Sequence, residues 1–280
     1  MTETTLFPPQ WRWRRLVACN LTAFGILGSW LWPPMRQFWE LLDHAVFHAL
    51  NAPLGSHPLW AHVWAVGSMR PTDMAAALAM LAVLIKTDWI FSAPQVRRAF
   101  FSFLSLLFLL TLFRVGLFSR VVTAMDWQHS SPSLSVEGAV RLSELFPDWE
   151  NQWHMKDQSN QSFPGDHGAV LMLWAFFLWP FADRLRRLLI AVLLTLFMLP
   201  RLVAGAHWAS DIFVGSLFLS LMTIGWGVHS PYLAKSGKFL ECLGGPLLDR
   251  LGKLPGLRHL GLLACVPADS TAPKNRRTAN

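Results

Sequence analysis

Apolar residues in this chain run in long blocks separated by short polar segments, and six blocks approach the roughly 20 residues that cover a bilayer core. They fall at about 16–33, 72–89, 99–118, 167–181, 187–203 and 208–228, and their length and unbroken apolarity predict helices rather than strands. The first block follows "WRWRR", as a signal peptide would. However, "LVACNLTAFGILGSWLWPP" is long for one and offers no A-x-A cleavage site, so it reads as a retained helix. Between the first two blocks, "FWELLDHAVFHAL" repeats apolar residues every three or four positions, the pattern of an amphipathic helix lying at an interface.

Composition agrees with this pattern: 53% of residues are hydrophobic and 15% charged, with a mean hydropathy of +0.35. A soluble fold would leave several wholly apolar helices without cover. The net charge of +7 admits a nucleic-acid partner until its distribution is read. With the N-terminus in the cytoplasm and six spans, 17 Lys and Arg fall on the cytoplasmic side and 7 on the other, as the positive-inside rule requires. The charge therefore sets membrane orientation, and no nucleic acid is expected. The spacing of the three cysteines resembles no disulfide or zinc framework.

The expected fold class is all-α, a polytopic membrane protein with six transmembrane helices and a periplasmic amphipathic helix and loop. Residues 1–229 form the membrane domain and residues 230–280 a cytoplasmic basic tail. Within the tail, "KSGKFLECLGGPLLDRLGKLPGLRHLGLL" suits a surface-lying segment and "PADSTAPKNRRTAN" a disordered end. The polar connection from Ser119 to Asp166 then faces outward, and with it the segments "SFPGDHG" and "RLVAGAHWASD".

These two segments carry ionisable groups to the edges of apolar blocks, where such groups are costly unless they serve a site. His207 and Asp211 are four residues apart and share a helix face. Asp211 can hold one imidazole nitrogen and leave the other free as a nucleophile. Arg201 lies on another face, but Gly205 provides a break that brings its guanidinium round towards His207, and Pro200 suits a bend at the end of the fifth span. A guanidinium beside a nucleophilic histidine suits a phosphate, whose oxygens it binds in pairs. In the other segment, Gly165 and the following helix start can cradle a phosphate with backbone N–H groups, and His167 can protonate a leaving oxygen. The bland alternatives are a helix-start hydrogen bond for the His–Asp pair and a capped turn for Pro-Gly-Asp-His. Both segments at one face favour a phosphoryl-transfer site.

The spacing Arg201-x5-His207-x3-Asp211 resembles the third signature of the type 2 phosphatidic acid phosphatase superfamily, and "PGDH" resembles its second, usually Pro-Ser-Gly-His. "RLSELF", "KDQSNQSFPGDHG" and "PRLVAGAHWASDIFVGS" look like the corresponding stretches of the lipid A 1-diphosphate synthases within it. That resemblance implies a six-helix bundle in the bacterial inner membrane, with both termini cytoplasmic and a periplasmic site that uses no cofactor and no metal. It also implies His207 as the nucleophile that forms a phosphohistidine, Asp211 as its orienting partner, His167 as general acid and Arg201 as phosphate ligand. The implied substrates are undecaprenyl diphosphate and lipid A; a phosphatase that uses water as acceptor is the alternative. The superfamily's first signature, Lys-x6-Arg-Pro, is not legible: its best counterpart is "QHSSPS", with Ser131 before Pro132 and Ala124 seven positions earlier. Lys156, Arg141 and Arg120 are the candidates to supply the missing charge.

Overall fold

The computed structural model describes residues 6–254 and 261–263, and among them the regular structure is helical apart from two isolated bridges. The long helices are α1 (Trp13–Leu31), α2 (Pro33–Asn51), α3 (Pro58–Ser68), α4 (Arg70–Ile85) and α5 (Ala93–Ala124). They are followed by α6 (Asp166–Leu178), α7 (Arg184–Val203), α8 (Asp211–Val228) and α9 (Tyr232–Leu251). The six apolar blocks coincide with α1, α4, α5, α6, α7 and α8. Among the described residues, α5 and α8 are long and apolar enough to cross a membrane, and α1 with α2 is a third span if that bent pair is taken as one. By contrast, α4 and α6 have 16 and 13 residues, and α7 carries Arg184, Arg186, Arg187 and Arg201.

α1 and α2 meet at 86°. The cause is local: Trp32 precedes Pro33 and sits extended at φ −80°, ψ 120°, because a following proline disfavours the helical region. The amphipathic segment therefore turns away from the axis of α1 as α2. At the centre lies α6, buried on nearly every side, with Leu171, Leu173, Trp174, Phe177 and Leu178 fully enclosed. Trp174 satisfies its indole N–H on the Met80 carbonyl at 3.1 Å. α1 packs along α8, and α9 packs along α5. The second contact needs small residues: a Cβ on Gly244 would meet Phe101 at 2.7 Å, while Ser105 and Ser236 join their hydroxyls at 2.6 Å. The start of the basic tail is thus a helix packed on the bundle. The segment "PADSTAPKNRRTAN" lies outside the described residues.

The connection between α5 and α6 folds over one end of the bundle through short turns at Pro132–Ser135, Leu142–Leu145 and Pro147–Trp153. Asn51, buried at the end of α2, ties it down. Its amide donates to the carbonyls of Val140 and Val203, both at 3.0 Å, and accepts from the Val140 N–H at 2.9 Å. Two π-helical turns face this end, Leu112–Phe118 in α5 and Asp211–Ser216 opening α8. Such turns push single side chains out of helical register and are frequent at functional sites.

Candidate active site

The end of α7 fixes the first half of the site. Gly205 stands at φ +74°, the Gly205 N–H donates to the Leu202 carbonyl at 3.2 Å, and the Ala206 N–H donates to the Arg201 carbonyl at 3.0 Å. This is the paired bonding of a helix closed by a left-handed glycine. It keeps α7 helical through Pro200 to Val203 and then reverses the chain, so that the His207 N–H also reaches the Arg201 carbonyl, at 3.3 Å. The break at Gly205 therefore sits where the spacing predicts it. The turn is crowded: a Cβ on Gly205 would meet Phe47 at 2.8 Å and Ser133 at 3.1 Å.

Asp211 is fully buried and receives three donors. His207 Nδ1 lies 3.3 Å from Oδ2, the Trp208 N–H donates to Oδ2 at 2.9 Å, and His129 Nε2 lies 2.9 Å from Oδ1. The carboxylate is thus held from both sides, and the Nε2 of His207 is the nitrogen left for chemistry. His129 belongs to the "QHSSPS" segment. The missing first signature marked that segment, but nothing in the spacing singled out the histidine, 82 residues from its partner. Asp43 of α2, also buried, accepts from the N–H and hydroxyl of Ser210 at 2.7 and 2.6 Å, fixing the start of α8. A cleft of about 250 Å³ opens beside this group, lined by Arg36, His44, His129 and Trp208 among others.

The second signature docks directly on the third. Gly165 donates its N–H to the Asp211 carbonyl at 3.1 Å, and Ser216 donates its hydroxyl to the Gly165 carbonyl at 2.5 Å. A Cβ at Gly165 would lie 2.8 Å from that hydroxyl, so glycine is required by the approach of the two segments. Because this N–H is committed to Asp211, the open amides of the helix start are those of Asp166, His167 and Gly168. Asp166, which had no role by sequence, pairs both carboxylate oxygens with Arg114 from the π-turn of α5. His167 is partly buried at the head of α6, in the electrostatic field of Arg201, Asp73 and His207.

Arg201 is buried, and its guanidinium pairs with Asp73 from the first turn of α4 and donates to the Lys156 carbonyl at 3.2 Å. Sequence reasoning passed over Asp73, although it shows the same signal as the histidines: an ionisable residue at the edge of an apolar block. Lys156 is placed by a bond from its N–H to the Ser68 carbonyl at 2.9 Å and lies beside Arg70 and Arg201. Burial, reinforced by those two cations, lowers its pKa below the ordinary lysine value, and Asp157 opposes the shift. Arg141 has different company. It donates to the Ser133 carbonyl at 3.1 Å and pairs with Glu144 at 2.6 Å. The structure thus gathers His207, Asp211, His167, Arg201 and Lys156 at one end of the bundle and leaves Arg141 in the framework of the connection. Among the described residues, no group of His, Cys, Asp and Glu is disposed to hold a metal ion.

Comparison with known proteins agrees with this geometry. Residues 141–235 match the PAP2 superfamily, a region that contains both histidine segments. The chain is 29% identical over 218 residues to the lipid A 1-diphosphate synthase of Escherichia coli (strain K12), covering 78% of this chain and 88% of that protein. No solved structure matches.

Proposed function

The chain carries a PAP2 superfamily region at residues 141–235, and on that premise we propose that it is a membrane phosphotransferase. Its reaction moves a phosphate from undecaprenyl diphosphate to the 1-phosphate of lipid A. The observation that carries the reading is the buried Asp211 holding Nδ1 of His207, with Arg201 and His167 in the same cluster.

In the first half of the reaction, Nε2 of His207 attacks the terminal phosphorus of the diphosphate. The bond to the bridging oxygen breaks, His167 gives that oxygen a proton, and undecaprenyl phosphate leaves from a phosphohistidine. Arg201, with the open amides at the start of α6, neutralises charge on the transferring phosphoryl oxygens, and Lys156 attracts the phosphates of the two substrates. In the second half, a phosphate oxygen of lipid A attacks the same phosphorus and releases His207. Asp211 stabilises the ring while it is phosphorylated but takes no part in bond making. The cations and amides supply the charge stabilisation that a metal supplies elsewhere, so turnover is expected to persist in the presence of a chelator. The six apolar helices are read as six spans, with this cluster on the periplasmic face of the inner membrane.

The decisive experiment compares mass spectra of lipid A from cells with and without the gene. A species heavier by one phosphate that depends on the gene supports transfer. If no such species exists while the purified protein still releases phosphate from undecaprenyl diphosphate, the enzyme is a phosphatase with water as acceptor.

A further inference from the structure

Cations crowd one side of the cluster in a way that a single phosphate leaves unused. The backbones of residues 68–69 and 155–156 are joined by the bridge between Met69 and Met155 and by the bond from Lys156 to Ser68. This places Arg70, at the first position of α4, beside Lys156, and both act electrostatically on each other and on Arg201. Two carboxylates answer three cations. Asp73 is taken by Arg201, and Asp157 is buried and accepts the Ser143 N–H at 2.8 Å. Arg70 is exposed and has no ion-pair partner among the described residues. Gathering like charges is unfavourable, and it is relieved by an anion with enough oxygens to meet two of them.

We propose that Arg70 and Lys156 form a second phosphate subsite, next to the one formed by His207, His167 and Arg201, that holds the phosphate on the far side of the bond being broken or made. The assignment rests on the phosphotransferase reading and deepens it. The donor leaves as a phosphate monoester and the acceptor enters as one, so a single subsite serves both halves in turn. After undecaprenyl phosphate departs, Arg70 and Lys156 hold the place that the lipid A phosphate fills. They therefore favour a phosphate over water as the group that attacks the phosphohistidine. They also supply the positive charge that the absent first signature leaves wanting.

The test is binding, so it does not depend on turnover. Inorganic pyrophosphate and orthophosphate are titrated against the full chain in detergent, followed by tryptophan fluorescence, for the wild type, His207→Ala, Arg70→Ala and Arg70→Lys. The subsite requires the wild type and His207→Ala to prefer pyrophosphate by about 10-fold or more, since a charge-assisted contact is worth that much. It requires Arg70→Ala to lose most of the preference and Arg70→Lys to keep part of it. A preference unchanged in Arg70→Ala, or absent in the wild type, overturns the assignment. Failure of the enzyme reading shows separately, as a wild type that binds pyrophosphate more tightly than orthophosphate yet forms no undecaprenyl phosphate from undecaprenyl diphosphate, with or without lipid A present.

Discussion

At Asp211 the burial of one carboxylate is offset by hydrogen bonds from His129, Trp208 and His207, and the two histidines play different parts. Changing His207 to Ala removes the proposed nucleophile, and turnover is expected to vanish while the protein remains folded in the membrane. Full activity in that variant would end the mechanism. His129 acts through Asp211 as a positioning residue. His129→Ala removes a charge-assisted bond worth about 1.5–3 kcal/mol and should lower kcat about 10-fold or more with little change in KM. His129→Gln, which keeps an N–H donor, should recover part of the loss; equal loss in both variants would indicate a role in folding instead.

Lys156 carries a pH prediction at the same scale. Its pKa is lowered by burial and by Arg70 and Arg201, with Asp157 pulling the other way. A lysine whose folded pKa lies below its unfolded value weakens the fold while charged, and the weakening disappears as pH rises through the folded value towards the unfolded one. Anion binding runs in the opposite direction, because only the protonated amine attracts phosphate. Affinity for pyrophosphate should therefore fall as pH rises through the depressed value, and Lys156→Arg should move that fall to higher pH. An unshifted profile in the arginine variant would assign the titration to another group.

Between helices, geometry rests on residues that are small or left-handed for a stated reason. Gly205 and Gly138 share a positive φ, +74° and +76°, but only Gly205 is crowded; nothing lies within 4 Å of a Cβ built on Gly138. Alanine at either position carries the left-handed cost of about 1–2 kcal/mol. At Gly205 it adds overlap with Phe47 and with Ser133. Gly205→Ala should therefore lower thermal stability more than Gly138→Ala and should strongly reduce turnover, because the turn carries Arg201 and His207. Comparable effects of the two substitutions would contradict this account of the turn.

For the molecule as a whole, the proposed topology puts the cluster on the periplasmic face of the membrane, and labelling tests it. Cys242 in α9 is exposed, and the proposed topology places it in the cytoplasm. Trp153 is exposed on the connection that should lie in the periplasm. In a chain with Cys19 and Cys265 changed to Ser, an impermeant maleimide applied to intact spheroplasts should label Trp153→Cys and spare Cys242. Labelling of Cys242 before the membrane is opened would reverse the orientation.

Periodicity and local rules were enough to establish that the chain is helical, where its apolar blocks lie, and that Gly205 breaks α7 just before His207. These features depend on near neighbours: four-residue spacing joins His207 to Asp211, and a left-handed glycine closes a helix wherever it occurs. Only the tertiary structure decided what answers those residues across the bundle. His129 meets Asp211 from 82 positions away, Asp73 reaches Arg201 across 128, and Asp166 finds Arg114 across 52. Such pairs depend on which helix ends converge, and no spacing along a single element encodes that convergence. The commitment of the Gly165 amide to Asp211 belongs to the same class, whereas Arg141 is taken by Glu144 only three residues on. The Gly165 amide could have faced a phosphate by sequence, and the packing of a distant segment determined its partner instead.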